Sequence, residues 1–386
     1  MLNDVVIVGA GPVGAALALA LAEADLSIAV LDARAEGGIG RTDRSLALSH
    51  GARLIFERLA VWSEVSSTPG AVTAITAIDI SQRGGFGAVR LDAREQHLPA
   101  LGYVVSYRAL QSALDAALAR AGVAVDFGVT VSGIRTTPAY AVITADRDGV
   151  QFEKIARLVA VADGAGGLVE SVRRRKHDYA QVALIGKLWL RESHGGVAFE
   201  RFTPEGPMAL LPEGDHYALV WTTTAAHAAA LVAMPQDDFL VELARRFGSR
   251  VTGYRRVEGL RVFPLALEFA ERVIEGRTVL LGNAAQALHP VAGQGFNLGV
   301  RDAHELAQEL LSIPRDRIGA RESLAAYARR RRIDRSMAIG FTHGLLRVFG
   351  SHAPLLRWSR GLALTLLDTV IPAKRAFTRV MLFGFR

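Results

Sequence analysis

Two glycine-rich segments, separated by almost the whole chain, carry the residues best suited to bind a phosphate-containing ligand. The first is GAGPVG at 9–14, and the second is GNAAQALHPVAGQGFNLGVRD at 282–302. Glycines in such turns let the backbone approach a phosphate, and the N–H groups at the start of a following helix attract its charge. One such turn is typical of a chain that binds a dinucleotide. Two turns, far apart in the sequence, favour a chain that also binds a flavin ring.

The first segment lies in the order expected of a dinucleotide-binding β-α-β unit. An apolar, β-branched run at 5–8 predicts a buried parallel strand, and an Ala- and Leu-rich helix follows the glycines through about Ala24. A second strand at 28–31 ends at Asp32, near the distance expected for a carboxylate that accepts a ribose hydroxyl. An acid at this position argues against a 2′-phosphate, so FAD and NAD remain and NADP is not expected here. The cofactor-binding candidates of this unit are Gly9, Gly11, Pro12, Val13, Gly14, Asp32 and Ala33.

The composition is that of an ordinary globular protein without cysteine chemistry. At 386 residues the chain can form two domains around a large core. It contains no cysteine, which excludes disulfides, thiolate nucleophiles and cysteine-ligated metals, and no metal site is expected. The N-terminus enters the first strand without a basic leader, and no apolar run of about 18 residues occurs. We therefore expect a cytosolic protein without a membrane span.

The net charge of +7 is concentrated at the C-terminus. Residues 321–386 contain 13 Arg and Lys against three acids, whereas the rest of the chain has 32 basic and 35 acidic residues. Such a basic, Leu-rich segment with Trp358 suits contact with an anionic membrane, here the inner membrane face, or with an acidic partner. It equally suits a solvated basic face on helices packed against the protein. No nucleic-acid-binding motif is visible, and nucleic acid is not an expected partner.

Hydrophobic periodicity predicts a strand-rich segment inserted between pieces of a nucleotide-binding layer. Strands are predicted within 73–91, 123–134, 140–145, 155–162 and 278–281, and helices near 51–59, 107–121 and 296–311. From 179 to about 263 the pattern is strand-rich, with one helix near 235–247. Helices follow 311 to the end of the chain.

Three motifs occur in order along the chain: GAGPVG with Asp32, VADG at 161–164, and GNAAQALHPVAGQGFNLGVRDA at 282–303. With them the chain resembles the single-component (class A) flavoprotein aromatic hydroxylases, whose fold is that of para-hydroxybenzoate hydroxylase. Further segments narrow the resemblance to the ubiquinone-biosynthesis hydroxylases that act on polyprenyl phenols. These segments are TDRSLALSHGA (42–52), LGYVVSYRALQSAL (101–114), FERFTPEGPMALLP (199–212) and THGLLRVF (342–349).

The resemblance implies an α/β fold, in which a Rossmann-type FAD-binding domain carries an inserted β-sheet substrate domain and is followed by a C-terminal helical tail. The expected divisions are 1–72, 101–178 and 266–335 for the FAD-binding domain, 73–100 and 179–265 for the substrate domain, and 336–386 for the basic amphipathic helices. No separate Rossmann domain is expected for the nicotinamide donor, because the GAGG at 164–167 has the wrong glycine spacing.

The resemblance also implies roles in binding FAD. Arg44 is expected beside the cofactor, where a guanidinium can neutralise the pyrophosphate or bond ribityl oxygens. Arg108 and Gln111, one helical turn apart, are expected to contact the ribityl and phosphate portion. A surface position is the alternative for Arg44, and an exposed helix face is the alternative for the 108–111 pair. Asp163 and Gly164 match a DG motif near the cofactor, although the chain departs from the family pattern directly after it.

The second glycine segment is expected to hold the flavin ring. Asn283 stands where most class A enzymes have Asp, and the ubiquinone branch is similar in using Asn. His289 and Pro290 are the candidate catalytic residues: the proline carbonyl would approach the substrate ring and the histidine would assist phenol deprotonation. A histidine merely packed by the flavin is the alternative. Further cofactor-binding candidates are Gly282, Gly293, Gly295, Phe296 and Asn297, at a helix start whose N–H groups would face the flavin N1–C2=O edge.

The implied reaction is hydroxylation of a phenol. NADPH or NADH would reduce the FAD, O₂ would add to give a flavin C4a-hydroperoxide, and one oxygen would pass to the ring. The implied substrate is a polyprenyl phenol of ubiquinone biosynthesis, which the basic tail would help to draw from a membrane. The alternatives are a hydroxylase of another phenol, a flavin reductase of isoprenoid double bonds, and a non-catalytic FAD-fold subunit of a biosynthetic complex.

Overall fold

The computed structural model describes residues 2–38, 44–289, 293–350 and 354–385, which form three β-sheets and ten α-helices. The strands are β1 (Leu2–Val8), β2 (Ile28–Asp32), β3 (Ser45–Ser49), β4 (Val72–Ile75), β5 (Ala77–Gln82), β6 (Ala88–Asp92), β7 (Gly102–Ser106), β8 (Val125–Phe127), β9 (Val129–Thr136), β10 (Ala141–Arg147), β11 (Val150–Val161), β12 (Arg174–Leu190), β13 (Val197–Thr203), β14 (Gly206–Glu213), β15 (His216–Thr223), β16 (Tyr254–Ala270), β17 (Ile274–Glu275), β18 (Thr278–Leu280) and β19 (Gln286–Ala287). The helices are α1 (Pro12–Leu21), α2 (His50–Arg58), α3 (Trp62–Ser67), α4 (Tyr107–Arg120), α5 (Ala225–Ala233), α6 (Gln236–Phe247), α7 (Gln294–Leu311), α8 (Arg321–Phe349), α9 (Pro354–Thr369) and α10 (Ile371–Phe383).

The first sheet, which we call the nucleotide sheet, is built around β1. Its order is β17-β18-β11-β1-β2-β8, and β1 runs parallel to both β2 and β11. The antiparallel strands β9 and β10 extend it from β11. Because the carboxyl ends of parallel strands share one edge, the glycine turn after β1, Asp32 at the end of β2 and Asp163 after β11 come together. The predicted Rossmann-type α/β fold is confirmed.

The helix after the first glycine turn is shorter than the sequence predicted. It ends at Leu21 rather than near Ala24. A tight turn follows, in which the Ala24 N–H donates to the Leu21 carbonyl at 3.1 Å and the Leu26 N–H donates to the Ala24 carbonyl at 2.7 Å. This turn brings the chain back into β2 parallel to β1.

The second sheet, which we call the cavity sheet, has the order β19-β16-β12-β15-β14-β13-β5-β6. Its side chains alternate between two environments, as strand geometry requires. Met208 and Leu210 on β14, with Leu219 and Trp221 on β15, pack in one core with side chains of α5 and α6. The opposite face is open to a large cavity. The small third sheet has the order β3-β7-β4, and the strands β5 and β6 of the cavity sheet fall between β4 and β7 in the chain.

Helix α5 lies in a region that the sequence predicted to be strand-rich with a single helix. Its sequence AAHAAALVA has high helix propensity, and the Thr224 hydroxyl caps it by accepting from the His227 N–H at 3.3 Å. The prediction missed it because α5 supplies just two buried side chains, Ala228 and Leu231, which give a weak periodic signal.

The C-terminal helices are packed into the body of the protein. A Cβ placed on Gly87, in the β5–β6 turn, would lie 2.3 Å from the Gly361 carbonyl oxygen, so α9 lies directly on this hairpin. Four predicted domain boundaries, at 72/73, 178/179, 265/266 and 335/336, fall inside β4, β12, β16 and α8. The elements therefore continue across these positions, and the division into domains stays a prediction.

Some of the arginines that give the C-terminal region its positive charge are buried and paired with acids. Arg301 on α7 donates to both oxygens of Asp334 on α8, at 2.9 and 3.3 Å, and Arg331 bonds Asp334 at 2.8 Å and Asp302 at 2.7 Å. All four side chains are at most 6% exposed. Burial alone would raise the pKa of Asp334, but the two arginines outweigh it and hold that pKa below its usual value. We call these four residues the α7–α8 ion cluster.

Replacing Asp334 by alanine should lower the free energy of unfolding by about 3–5 kcal/mol, because two buried guanidinium groups lose their shared carboxylate. Equilibrium urea unfolding checks this. Glu153→Ala is the matched control: it breaks a pair with Arg135 whose side chains are 75% and 55% exposed, and it should cost under about 1 kcal/mol. Equal losses in the two variants would contradict a structural role of the α7–α8 ion cluster.

Candidate active site

A cavity of about 1130 Å³ lies between the carboxyl edge of the nucleotide sheet and the open face of the cavity sheet. Its polar half is formed by the two glycine-rich segments and the ends of β2 and β11. Its apolar half is formed by the cavity sheet and by α8, α9 and α10. The cavity is therefore large enough, and divided suitably, for a polar cofactor beside an apolar ligand.

The first glycine turn shows why each of its glycines is needed. Gly9 has φ +100°, and a Cβ there would lie 2.6 Å from the Ala162 carbonyl oxygen. Gly14 lies against the turn itself, since a Cβ would come within 1.9 Å of the Gly9 carbonyl oxygen. At Gly11, by contrast, a Cβ would meet no protein atom within 4 Å. Gly11, Pro12 and Val13 line the cavity, so the open space at the start of α1 belongs to a ligand.

Asp32 closes this end of the cavity. One carboxylate oxygen accepts from the Ala10 N–H at 2.5 Å and the other from the Arg34 N–H at 2.8 Å, which fixes the side chain at the cavity wall. Ala33, a candidate from the sequence, is exposed and does not line the cavity. Arg34 lines it instead and pairs with Asp115 at 2.5 Å. The sequence feature that could have indicated Arg34 as a cavity residue is its position two residues after Asp32.

The residues of α4 behave differently from the prediction. Gln111 is buried, and its amide donates to the Ala10 carbonyl and to Asp115, both at 2.9 Å. It therefore supports the glycine turn from behind and does not line the cavity. Arg108 is exposed and also lies outside the lining. The structure does not bring this pair to one ligand surface. Arg44 does line the cavity, with its guanidinium carbon 4.9 Å from the centre of the Tyr107 ring.

The second glycine segment packs against the first. Gly282 has φ +57° and a Cβ there would lie 3.2 Å from the Val13 side chain. A Cβ on Gly299 of α7 would lie 2.8 Å from the Gly282 Cα. This close approach places α1 and α7 side by side with both N-termini at the cavity. Asn283 is exposed toward the cavity, where its amide is available to a ligand.

The start of α7 is held by one amide side chain. Gly293 caps the helix with φ 59°, and Asn297 donates to the Gly293 carbonyl at 2.7 Å and the Ala47 carbonyl at 3.0 Å. The Asn297 oxygen accepts from the Ser49 N–H at 2.8 Å. Asn297 thus ties α7 to β3, a positioning role that the sequence did not predict. Gly295 and Phe296 line the cavity, as predicted for this helix start.

The DG motif after β11 forms a tight turn at the cavity. One Asp163 oxygen accepts from the Ala165 N–H at 3.1 Å and the Gly166 N–H at 3.0 Å, and Gly164 has φ +76°. Asp163 and Gly164 both line the cavity. Their backbone conformation explains the motif, since the left-handed position after the acid favours glycine.

His289 is buried at the junction of the two halves of the cavity. It is 1% exposed, and burial lowers the pKa of its imidazole to about 4. Its ring lies edge-on to that of Tyr179, with 5.7 Å between the ring centres. A neutral imidazole with so low a pKa is a weaker base than ordinary histidine. Pro290, the other predicted catalytic residue, lies outside the described residues.

The open face of the cavity sheet forms the apolar wall. Because side chains alternate between the two faces of a strand, five strands each direct two of their side chains into the cavity. These side chains are Ile78 and Ile80 on β5, Val89 and Leu91 on β6, Ala198 and Phe202 on β13, Ala209 and Leu211 on β14, and Val220 and Thr222 on β15. Glu200 on β13 lies among them and is the one ionisable side chain that the described strands of this face present to the cavity. Its sequence segment, FERFTPEGPMALLP, carries part of the family resemblance but predicts no role for Glu200.

These features fit FAD. The open space at Gly11, the adjacent helix start and Asp32 suit a pyrophosphate and a ribose. The start of α7, from Gly293, offers backbone N–H groups and the positive end of a helix dipole to a ring that can carry negative charge. The cavity volume leaves room for a second, apolar ligand.

Comparison with known proteins agrees with this fit. Residues 3–339 match the FAD binding domain family. Ubiquinone hydroxylase UbiL of Rhodospirillum rubrum is 32% identical, over 97% of this chain and 88% of its own. The 3-demethoxyubiquinol 3-hydroxylase of Escherichia coli is 30% identical, over 97% of this chain and 96% of its own. The chain belongs to the family of FAD-dependent ubiquinone hydroxylases.

A solved structure shows the same fold. The p-nitrophenol 4-monooxygenase PnpA of Pseudomonas putida superposes with a TM-score of 0.80 at 19% identity, over 100% of this chain and 99% of its own. The predicted cofactor, FAD, and the predicted enzyme class are confirmed, and the protein is a flavin-dependent aromatic hydroxylase.

Gly11→Val should leave the fold intact and abolish FAD retention. A Cβ at this position meets no protein atom within 4 Å, and the valine side chain would occupy the open space at the start of α1. We expect the affinity for FAD to fall by about a hundredfold, or ~2.7 kcal/mol, while the apoprotein unfolds within about 0.5 kcal/mol of wild type. Flavin absorbance after desalting and titration of apoprotein with FAD measure this.

Gly133→Val on β9 is the control, because a Cβ at Gly133 also meets no atom within 4 Å and Gly133 lies outside the cavity lining. Wild-type FAD content is expected there. Full retention of FAD by Gly11→Val would exclude the start of α1 as the phosphate site.

Proposed function

We propose that this hydroxylase adds an oxygen atom to the ring of a polyprenyl phenol in ubiquinone biosynthesis, using NADPH or NADH and O₂. The observation that supports it most is the apolar half of the cavity. It extends away from the glycine segments between the cavity sheet and α8–α10, lined by Phe341, Leu345, Leu364 and Leu367 among others. A small soluble phenol would leave this space to water, whereas a prenyl chain would fill it. The ubiquinone hydroxylase names of the relatives agree with such a substrate.

FAD, when bound, supplies the redox chemistry that activates O₂ for transfer of one oxygen atom. Gly11, Asp32, Arg44 and Asn283 would hold its phosphates and hydroxyls. The N–H groups at the start of α7 would stabilise negative charge on the flavin ring. The apolar wall would exclude water and fix the phenol ring at the junction of the two halves of the cavity.

Helix α9 connects this cavity with the protein surface. Its inner face carries Leu364 and Leu367, which line the cavity. Its outer face carries Trp358, Leu362 and Leu366, which are 64%, 54% and 51% exposed. Phe86 extends this apolar stripe, with its ring 5.3 Å from that of Trp358.

Since an α-helix is about 10 Å across, a membrane touching the outer face of α9 would lie one helix away from the cavity. Arg375 and Arg379 on α10 are exposed, as suits an anionic headgroup layer. No described helix is both long and apolar enough to cross a bilayer. We therefore assign α9 to peripheral membrane contact, which the basic C-terminal sequence had predicted as one of two alternatives.

The reaction can be tested directly. Holoenzyme supplied with a short-chain prenylated phenol, a nicotinamide donor and ¹⁸O₂ should form a product that contains one labelled oxygen. The protein can also be expressed in E. coli strains that each lack one ubiquinone-biosynthesis hydroxylase, such as the 3-demethoxyubiquinol 3-hydroxylase. It should restore ubiquinone synthesis in the strain whose missing enzyme hydroxylates the same ring position. Wild-type protein that reduces a double bond without oxygen uptake would support the reductase alternative. A purified protein that cannot be loaded with FAD would support the non-catalytic one.

Replacing the outer face of α9 should weaken membrane binding without loss of flavin. Trp358→Ser combined with Leu362→Ser and Leu366→Ser should reduce the fraction that sediments with phosphatidylglycerol vesicles, with an affinity loss of about tenfold or more. The control is Val241→Ser on α6, which removes a side chain that is 68% exposed elsewhere. Wild-type vesicle binding by the triple variant would remove α9 from the proposal.

A further inference from the structure

We propose that Glu200 binds the hydroxyl group of the phenol substrate and accepts its proton during hydroxylation. This inference rests on the proposed function, because it assigns a role within the same cavity. It concerns a residue that neither the glycine motifs nor the histidine segment contains.

The position of Glu200 is fixed by the register of the cavity sheet. On β13 it lies between Ala198 and Phe202 on the same face, opposite Ala209 of β14 and beside Ile80 of β5. The next residue, Arg201, points to the other face, where it donates to the Ser81 hydroxyl at 3.1 Å. The carboxyl of Glu200 is therefore directed into the cavity, and the apolar side chains around it on the cavity sheet supply no counter-ion.

Glu200 has no hydrogen bond or ion pair with any residue in the described parts of the chain. A carboxyl group without a partner in an apolar site is costly, and such groups persist where a ligand satisfies them. The missing partner must present a hydroxyl or another polar hydrogen within an otherwise apolar body. A prenylated phenol has this combination.

The acid–base properties of the cavity agree with the geometry. Burial raises the pKa of Glu200 to about 8, whereas burial lowers that of His289 to about 4. At neutral pH the carboxyl is thus near its titration point and is the stronger base of the two. A general base works best when its pKa is close to the working pH.

The charged groups that face this part of the cavity do not compete for Glu200. Among the described residues of α8, α9 and α10 that line the cavity, Arg360 is the cation, and it donates to the carbonyls of Val348 at 2.9 Å and Phe349 at 2.8 Å. The polar half contributes Asp32, Arg34 and Asp163 at or just after the ends of strands of the nucleotide sheet, and Arg44 directly before β3; His289 lies at the junction. The pKa of Glu200 accordingly follows from burial.

The proton balance is simple. The nicotinamide donor would supply two electrons through FAD, so that one oxygen atom of O₂ reaches the ring carbon as a hydroxyl group and the other leaves as water. In that step the phenol O–H bond breaks, its proton passes to the Glu200 carboxylate, and the phenol oxygen becomes a carbonyl oxygen. The ring carbon then loses its hydrogen as a proton, which ends in the water molecule. Aromaticity is restored as the phenol oxygen takes its proton back from Glu200, and the carboxylate is regenerated.

The role of Glu200 can be tested by comparing the affinities of two ligands, with and without a phenolic hydroxyl, in wild type and in a Glu200 variant. The probes are 2-geranylphenol and its methyl ether, titrated into holoenzyme at pH 9, where the Glu200 carboxyl is largely ionised, while the flavin absorbance is followed. Wild type should bind the phenol about ten- to a hundredfold more tightly than the ether, as a charge-assisted hydrogen bond requires. Glu200→Leu should bind the two ligands equally and keep the wild-type affinity for the ether. Glu192→Gln, an exposed glutamate on the loop after β12, should behave as wild type.

The second readout is the pH profile of hydroxylation. In wild type the rate should rise through about pH 8 as the Glu200 carboxyl ionises, and in Glu200→Gln this rise should be absent. A leucine variant that still prefers the phenol, or a glutamine variant with the wild-type pH profile, would overturn the assignment while leaving the proposed function in place. A wild type that neither binds nor hydroxylates any phenol would overturn both.

Discussion

The structure depends on the close packing of α1 and α7. Gly282 and Gly299 let α7 approach the turn at Val13, and Gly14 lets α1 lie on its own glycine turn. A Cβ would collide with main-chain atoms at Gly14 and Gly299, and at Gly282 it would crowd Val13 in a left-handed conformation that favours glycine. Both helices therefore begin at the same cavity, although almost the entire chain separates them in the sequence. Two helix starts, each directing the positive end of its dipole at the cavity, suit a cofactor with phosphates at one end and an electron-accepting ring at the other.

The α7–α8 ion cluster supports this arrangement from the opposite side. Asp302 lies on α7 at the end of the second glycine segment, and its carboxylate also accepts from the Gln286 amide at 2.7 Å. Gln286 belongs to β19, the end strand of the cavity sheet. The cluster thus connects the cofactor-facing helix, the cavity sheet and the first half of α8. The second half of α8 continues into the apolar wall, so one helix connects the α7–α8 ion cluster with the apolar half of the cavity.

The sequence predicted the nucleotide sheet, FAD and most of the cavity-lining glycines, because strand, turn and helix follow one another locally. It was less successful where contacts are non-local. The contact of Gln111 with Ala10 and that of Asn297 with Ala47 on β3 were not predicted, and the roles of both residues in binding the cofactor stay predictions. The orientation of such side chains is set by neighbours distant in the chain. Glu200 could not be singled out, because its isolation depends on strand pairing between β5, β13 and β14.

The walls of the cavity come from different parts of the fold. The cofactor side is built from backbone turns and tightly packed glycines, where almost any substitution disturbs the main chain. The wall opposite is a sheet face of alternating side chains whose backbone hydrogen bonds do not depend on side-chain identity. Sequence drift on that face can therefore reshape what the enzyme accepts while the flavin chemistry stays unchanged. Within one lineage, new substrates would arise mainly by exchange of side chains on β5, β13, β14 and β15.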